Sequence, residues 1–567
     1  MRIPGRHRFH GAGRTALLGR RALQVLRQTG LARYLSPVAT ARFIRDLVRS
    51  RTLSPFVLPH LHALHSPERP ALVAGSLRLS YGELDARINR LAHGLHSLGI
   101  GPGDRVAMML HNGPEWLELT AAYSYLRAIG VQVGYRLKPK EVAYLLENSG
   151  AKALIFHATF ASTVEGALAE MGPIGPARQR CIAIADSGQP RAAFDSYDEL
   201  LARGRADGPP SVRGQGGGGL MVYTSGTTGR SKGARRDFGQ TGFEPVFDFM
   251  AQLPIRCDER HLVACPLYHA MAPAFVALTL AVGGCLVILD QFEPAEVLAT
   301  LERERITSAL MVPTMYRRLL ELGLPELRKR DLSSLRWLVS GAAPLPTTLA
   351  DEIETAFGPI LYNFYGATET GFVTLAKPGE HTARPGTIGR LLAGNEARLL
   401  DAEGREVPIG QVGELYIKNP MLVSGYHGNA EATQKAQRDG FFSVGDLARC
   451  DEDGYYFLAD RKDDMVISGG VNVYPFEIEQ RLHQHPAIAE AAVVGVPDPQ
   501  WGESLAAFVV LRQAQEKPSI EALQHFVTDE LADYKRPRQI LFVEALPRNP
   551  TGKILKKELK ARLAPTV

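Results

Sequence analysis

Residues Leu220-Met221-Val222-Tyr223-Thr224-Ser225-Gly226-Thr227-Thr228-Gly229-Arg230-Ser231-Lys232-Gly233 open as an apolar run and close as a run of hydroxyls and glycines. The first part has the pattern of a buried strand. The second supplies five hydroxyls, its three glycines leave backbone N–H groups free to wrap an anion, and Lys232 adds a fixed charge. A loop of this composition leaving directly from a buried strand is built to hold phosphate. The GxxxxGK[ST] spacing is absent, so a P-loop nucleotide hydrolase is disfavoured.

Outward from this loop, apolar runs alternate with helical patterns from about Thr52 onward. The runs are Arg105–Leu110, Lys152–Phe156, Cys181–Ala185, Leu262–Pro266, Leu286–Asp290 and Ser308–Pro313, with a helix around Trp116 to Leu126. Such alternation predicts an α/β fold of mostly parallel sheets covered by helices on both faces. Met271 to Leu289 carries no charge and has nearly the length of a membrane span. Pro273 and Gly283-Gly284 instead divide it into a short helix, a turn and a strand, and no transmembrane segment is predicted. After Asp460 the texture changes to the strands Ala489–Val496 and Leu505–Leu511, a helix around Ile520 to Leu531 and a lysine-rich tail. The expected organisation is a basic extension (1–51), a large domain (52–462) and a small mobile α+β domain (463–567).

The 567 residues are 45% hydrophobic and 22% charged, which excludes both a disordered chain and a small disulfide scaffold. A net charge of +5 is too balanced for a dedicated nucleic-acid binder. Five scattered cysteines support neither a disulfide framework nor a zinc site, and a reducing, cytoplasmic setting fits them. The basic excess is local: residues 1–51 hold twelve arginines and one acid, Asp46. Leu18, Ala22, Val25 and Leu26 recur there at helical spacing, with Arg20 and Arg27 on the other side. Three readings stay open. The segment is Arg-rich and acid-poor like an organellar transit peptide; its helix could lie on an anionic membrane surface as a peripheral contact; or it is a solvated extension or a helix packed on the body.

Further motifs follow the loop in order. Ser340-Gly341-Ala342-Ala343-Pro344 puts small residues after a strand, where a flat ring can approach backbone. Tyr365-Gly366-Ala367-Thr368-Glu369-Thr370 gathers an aromatic face, a hydroxyl and a carboxylate. Asp446 offers a carboxylate able to accept from two ribose hydroxyls. Ser468-Gly469-Gly470 lets backbone approach a thin ligand, and Lys553, in Thr551-Gly552-Lys553-Ile554, is a point charge on a terminal segment.

In this order and spacing, from about Ser80 to Leu559, the sequence resembles the adenylate-forming superfamily: acyl-CoA synthetases, luciferase-like enzymes and peptide-synthetase adenylation domains. It looks most like the fatty-acyl-CoA ligases. The family loop is close to YTSGTTGxPKG, with Ser231 here in place of the usual proline. The resemblance implies that Thr224, Ser225, Gly226, Thr227, Thr228, Gly229 and Lys232 hold the ATP phosphates. It sets adenine against Gly341, Ala342 and Ala343 under Tyr365 and Gly366, and puts Thr368 on phosphate and Glu369 on Mg²⁺. Asp446 and Arg461 would hold the nucleotide, Asp463 would be the hinge, and Ser468, Gly469 and Gly470 would line the path of CoA. Lys553 would bridge the carboxylate and the α-phosphate, and His269 in Pro266-Leu267-Tyr268-His269 would gate the acyl and thiol channels. Val444 replaces a usual threonine, and Met271-Ala272-Pro273 replaces a usual glycine. The apolar segment after His269 resembles the fatty-acyl branch, which implies a medium- or long-chain acid, ATP and CoA as substrates and a monomer or homodimer. A carrier protein in place of CoA is the alternative. A non-catalytic acyl-nucleotide binder would be expected to lack Lys553 or Glu369.

Overall fold

The computed structural model describes residues 11–51, 54–172, 176, 180–185, 194–213, 217–224, 231–237, 242, 244–468, 471–498, 500–512, 515–548 and 553–563. Three sheets carry the chain. In the seven-stranded sheet, Arg105–Met109, Ile129–Gln132, Ala153–His157, Cys181–Ile184 and Gly219–Thr224 run parallel, and Lys232–Asp237 turns back antiparallel at one edge. The 14-stranded sheet is parallel through Pro70–Ala74, Cys285–Ile288, Arg260–Val263, Ser308–Met311 and Trp337–Ser340 into Leu361–Ala367. Beyond Leu361–Ala367 its pairings are antiparallel, through Phe441–Cys450 and Tyr455–Arg461. Strands such as Cys181–Ile184, Cys285–Ile288 and Ser308–Met311 are buried at every position, which is why they read as unbroken apolar runs. The third sheet has five strands and begins with Val466–Ser468, after the large sheet's strand Tyr455–Arg461.

The helices that position the site are α1 (Gly11–Thr29), α2 (Pro37–Ser50), α3 (Leu58–His65), α4 (Tyr81–Ser97), α5 (Pro114–Leu126), α6 (Glu244–Gln252), α7 (Met271–Ala281), α8 (Pro475–His483) and α9 (Lys556–Leu563). α4 starts on a reciprocal cap: Glu83 N–H donates to Ser80 Oγ, and Ser80 N–H donates to the Glu83 carboxylate. Phe249 of α6 lies 5.7, 5.5 and 4.7 Å from the rings of Phe275, Phe364 and Phe372, joining α6 and α7 to the large sheet. Met271–Leu289 forms α7, a turn and the strand Cys285–Ile288. No described helix is long and apolar enough to cross a membrane.

The described part of the extension packs on the body. Val25 of α1 is buried, with Ala22 and Leu26 half-buried against α6 and Arg20 and Arg27 exposed. This face is therefore turned to protein rather than to lipid, because α6 offers it polar partners as well. Arg21 pairs with Asp248 at 2.9 Å, and Gln24 and Gln28 donate to the carbonyls of Ala251 and Met250. The side chain of Leu18 lies outside the described residues. Helix α2 is fixed by the extension's one acid. Asp46 meets His60 Nε2 of α3 at 3.4 Å, and His60 Nδ1 meets Asp85 of α4 at 2.9 Å.

Burial pulls the His60 imidazolium down, but hydrogen bonds and charge from Asp85 and Asp46 outweigh it and hold its pKa above 6.5. A base raised on folding contributes its full stabilisation below its unfolded pKa and loses it as pH rises through the folded value. The docking of α2 is therefore expected to weaken at alkaline pH. Limited proteolysis should cut between residues 37 and 51 faster at about pH 9 than at about pH 6. His60→Gln should flatten that difference, and equal cutting of the native chain at both pH values would contradict the assignment.

Candidate active site

The phosphate-type loop joins two antiparallel strands in which Thr224 lies opposite Lys232. Ser225, Gly226, Thr227, Thr228 and Gly229 lie outside the described residues. At the loop's base, Thr224 Oγ1 and Tyr426 Oη donate to Glu369 Oε1 at 3.2 and 3.0 Å. Glu369 is 5% exposed, and the Lys232 ammonium sits 5.2 Å from the centre of the Tyr426 ring. Further along the return strand, Arg236 donates to the carbonyls of Thr368 and Met421. Burial pulls Arg236 down to about 10, with the nearby Glu369 carboxylate opposing that shift. Sequence reading singled out neither Arg236 nor Tyr426. The Arg236–Thr368 contact spans 132 residues, so no local pattern announces it.

The turn that carries Glu369 is shaped by backbone proximity. A Cβ on Gly366 would lie 2.1 Å from the carbonyl oxygen of Gly371, so only glycine fits this hairpin. Tyr365, at the end of the strand Leu361–Ala367, donates its hydroxyl to Asp446 Oδ2 at 2.7 Å. Register brings Asp446 and Arg461 together as direct partners on adjacent antiparallel strands. Arg461 Nε then donates to Asp446 Oδ1 at 3.1 Å, and its Nη2 donates to the Val444 carbonyl at 2.8 Å. The second small-residue motif follows the strand Trp337–Ser340. Ala342 holds a φ of 65°, a conformation disfavoured for residues with a Cβ, at a turn that lines the cavity.

Thr224, Lys232, Ala342, Ala343, Tyr365, Gly366, Thr368, Glu369, Asp446, Arg461, His269 and Lys553 line one cavity of about 1000 Å³. Gly341 is buried behind that wall, where a Cβ would come within 2.9 Å of Met271 Sδ. His269 is a neutral imidazole here: burial pulls its pKa to about 3. Its ring centre is 4.1 Å from that of Tyr268, and its Nε2 has no hydrogen-bond partner among the described residues. Lys553 is held down in pKa first by burial and then by Arg461, with Asp446 and Asp464 opposing. Asp463 lies in the turn between the strands Tyr455–Arg461 and Val466–Ser468. Ser468 is absent from the cavity wall, and Gly469 and Gly470 lie outside the described residues.

Beside this turn lies a charged cluster with no sequence signature. Lys556 of α9 sits 2.9 Å from Glu479 of α8 and 3.9 Å from Asp460. Asp460 accepts from the N–H of Arg461 at 2.7 Å and of Phe476 at 3.0 Å. Burial pushes Asp460 up to about 6; Lys556 opposes this, and the Glu479 charge adds to it.

A cavity lined by Thr224 and Lys232, a buried carboxylate at Glu369, the Asp446–Arg461 pair and a lysine from the C-terminal segment is a layout that suits a nucleotide-dependent acid-activating site. The AMP-binding enzyme family matches residues 60–427, and its C-terminal domain matches residues 477–553. The chain belongs to the AMP-binding enzymes. It is 38% identical to a feruloyl-CoA synthase of an Amycolatopsis species over 507 residues, covering 89% of this chain and 98% of that relative. It is 35% identical to a medium/long-chain-fatty-acid–CoA ligase, FadD8, of Mycobacterium tuberculosis, with 91% of each chain covered. The structure resembles an anthranilate CoA ligase, AuaEII, solved with anthranoyl-AMP, with a TM-score of 0.82 and 27% identity over 90% of this chain and 97% of that one. This AMP-binding enzyme has the family's α/β architecture and is an acid-activating, adenylate-forming ligase. ATP and CoA are the family's co-substrates.

Proposed function

We propose that this AMP-binding enzyme activates a medium- or long-chain carboxylic acid in two steps at one site. The acid's carboxylate attacks the α-phosphorus of ATP and expels pyrophosphate, giving acyl-AMP. The thiol of CoA then attacks the acyl carbonyl, loses its proton and expels AMP. The observation that carries this reading is the convergence of Lys553, Asp446, Tyr365 and Glu369 on a cavity that continues as an apolar chamber along α7.

Each residue is assigned a task by its contacts. Attack of one anion on another needs positive charge, and Lys232 and Lys553 of the cavity wall supply it. Asp446 is held between Tyr365 and Arg461, which orient its carboxylate toward ribose hydroxyls. Glu369 accepts two hydroxyl donors at Oε1 and has none at Oε2 among the described residues, which suits a hard cation bound jointly with phosphate. Mg²⁺ there would offset phosphate charge. Neutral His269 lines the wall without competing as a cation. In the second step the small domain turns about Asp463, withdrawing Lys553 and bringing the segment beginning at Ser468 to the thiol path. Peripheral membrane contact, in this reading, uses the outer face of α2, where Val38, Ile44 and Val48 are exposed beside Arg42 and Arg45.

An aromatic acid is the second reading, favoured by the feruloyl-CoA synthase relative and by Gln132. Gln132 lines the cavity and is 3% exposed; the Trp116 indole N–H donates to its Oε1 at 3.0 Å, which fixes the amide orientation. Its Nε2 has no partner among the described residues and suits an oxygen substituent on the acid.

Pyrophosphate release from ATP and Mg²⁺ with acids from acetate to oleate, benzoate and ferulate, each with and without CoA, tests these readings. CoA-dependent turnover of straight-chain acids is expected. Preference for ferulate would move the assignment to aromatic acids. Adenylate formation that CoA never accelerates would move it to a carrier protein as acceptor, and silence with every acid would overturn it.

A further inference from the structure

Helix α7 presents one face to the cavity from end to end: Met271, Ala274, Ala277 or Leu278, and Ala281 recur at spacings of three and four. At a rise of 1.5 Å per residue that face is about 15 Å long. Its first residue touches the nucleotide motif, since Met271 Sδ lies against Gly341. Its last turn is held by α3, where His62 Nε2 donates to the Leu280 carbonyl at 2.8 Å. Burial pulls His62 to about 4, so this bond comes from a neutral ring.

What closes the chamber at that far end comes from the extension. Phe43 and Leu47, one turn apart on α2, line the cavity, and Phe43 is 7% exposed. The Phe43 ring lies 6.1 Å from that of His60 on α3, the helix seated at the end of α7. Phe56, in the short turn Pro55–Val57 that packs on α7, completes the same wall. α1 acts indirectly, bracing α6, whose Val246, Phe247 and Met250 form a side of the chamber. All of α1 and α2 precedes the region matched to the family, residues 60–427.

We propose that the N-terminal extension is part of the acid-binding site: α2 closes the inner end of the chamber, and Phe43 with Leu47 fixes the longest acid that fits. This rests on the reading that the chamber holds the acid's apolar tail. Straight-chain saturated acids of increasing length are the probes, and kcat/KM for pyrophosphate release and acid binding by calorimetry are the two readouts, on the full chain. Removing the ring in Phe43→Ala, alone or with Leu47→Ala, opens space and moves the optimum to longer acids. Phe43→Trp fills space and moves it to shorter ones. The ratio of kcat/KM between the longest and shortest acids accepted shifts by about tenfold or more, in opposite directions for the two substitutions. A short acid that does not reach α2 is turned over within about threefold of the native rate in every variant, which separates a change of wall from a loss of fold.

An unchanged length profile in both Phe43 variants, with turnover intact, overturns this inference and leaves the proposed activity standing. If the native chain neither binds nor activates any straight-chain acid, the proposed activity falls and this inference falls with it.

Discussion

Lys553→Ala is expected to slow acyl-adenylate formation by about a hundredfold or more, while thioester formation from supplied acyl-adenylate stays within about threefold of native. The asymmetry follows from where charge is needed. Adenylation brings a carboxylate and a polyphosphate together, and Lys553 lines the same cavity as Asp446 and Arg461. Burial, reinforced by the Arg461 charge, depresses the Lys553 pKa, and the negative charge of bound nucleotide and acid would oppose that shift. The second step replaces AMP with a thiol and gains nothing from a cation at that place. Single-turnover conversion of ATP to AMP with acid, beside the reaction of preformed acyl-adenylate with CoA, separates the two steps. Equal loss in both would assign Lys553 to binding in general, and no loss in the first would remove it from the reaction.

The second large effect concerns Lys556. It stands between Glu479 and Asp460 in a buried cluster beside the turn that holds Asp463. Burial opposes its charge, but the two carboxylates outweigh burial and raise its pKa. Lys556→Met leaves those carboxylates facing each other without a cation, and removing one partner from such a pair costs about 3–5 kcal/mol. A drop of that size in the stability of the C-terminal unit is expected in chemical denaturation. Adding Glu479→Gln should recover part of it, because the remaining charge then repels less. A Lys556→Met chain that unfolds like the native one would show that the cluster is hydrated and contributes little.

The parts of the fold legible in the sequence are those where burial is complete. Cys181–Ile184, Cys285–Ile288 and Ser308–Met311 are apolar because helices cover both faces of their sheets. The strands Glu396–Leu400 and Gly413–Lys418 mix exposed and buried positions on antiparallel ribbons, and they carry no comparable run. Among the site residues, Thr224, Lys232, Tyr365, Glu369, Asp446, Arg461, His269 and Lys553 were expected from motifs and the family resemblance, and the structure brings them to one cavity. Arg236, Tyr426 and the Asp460–Glu479–Lys556 cluster were not expected, since each acquires its role through a partner distant in the chain. The packing of the extension was hidden for a different reason. A helix with one apolar face and many arginines reads the same whether it meets lipid or protein, and Asp46 acquires its meaning once His60 is seen beside it.

The packing of α1 also sets an order of events during synthesis. Gln24 bonds to Ala251 across 227 residues of sequence, and Gln28 bonds to Met250 across 222. At roughly 5–20 residues per second, the first helix leaves the ribosome roughly 10–45 seconds before its binding face on α6 exists. Through that interval Val25 has no native cover, and the helix presents arginines and an apolar edge to whatever is nearby. The contacts between α1 and α6 thus form only after α6 has emerged, and a nascent chain halted before Gln252 would display this segment undocked.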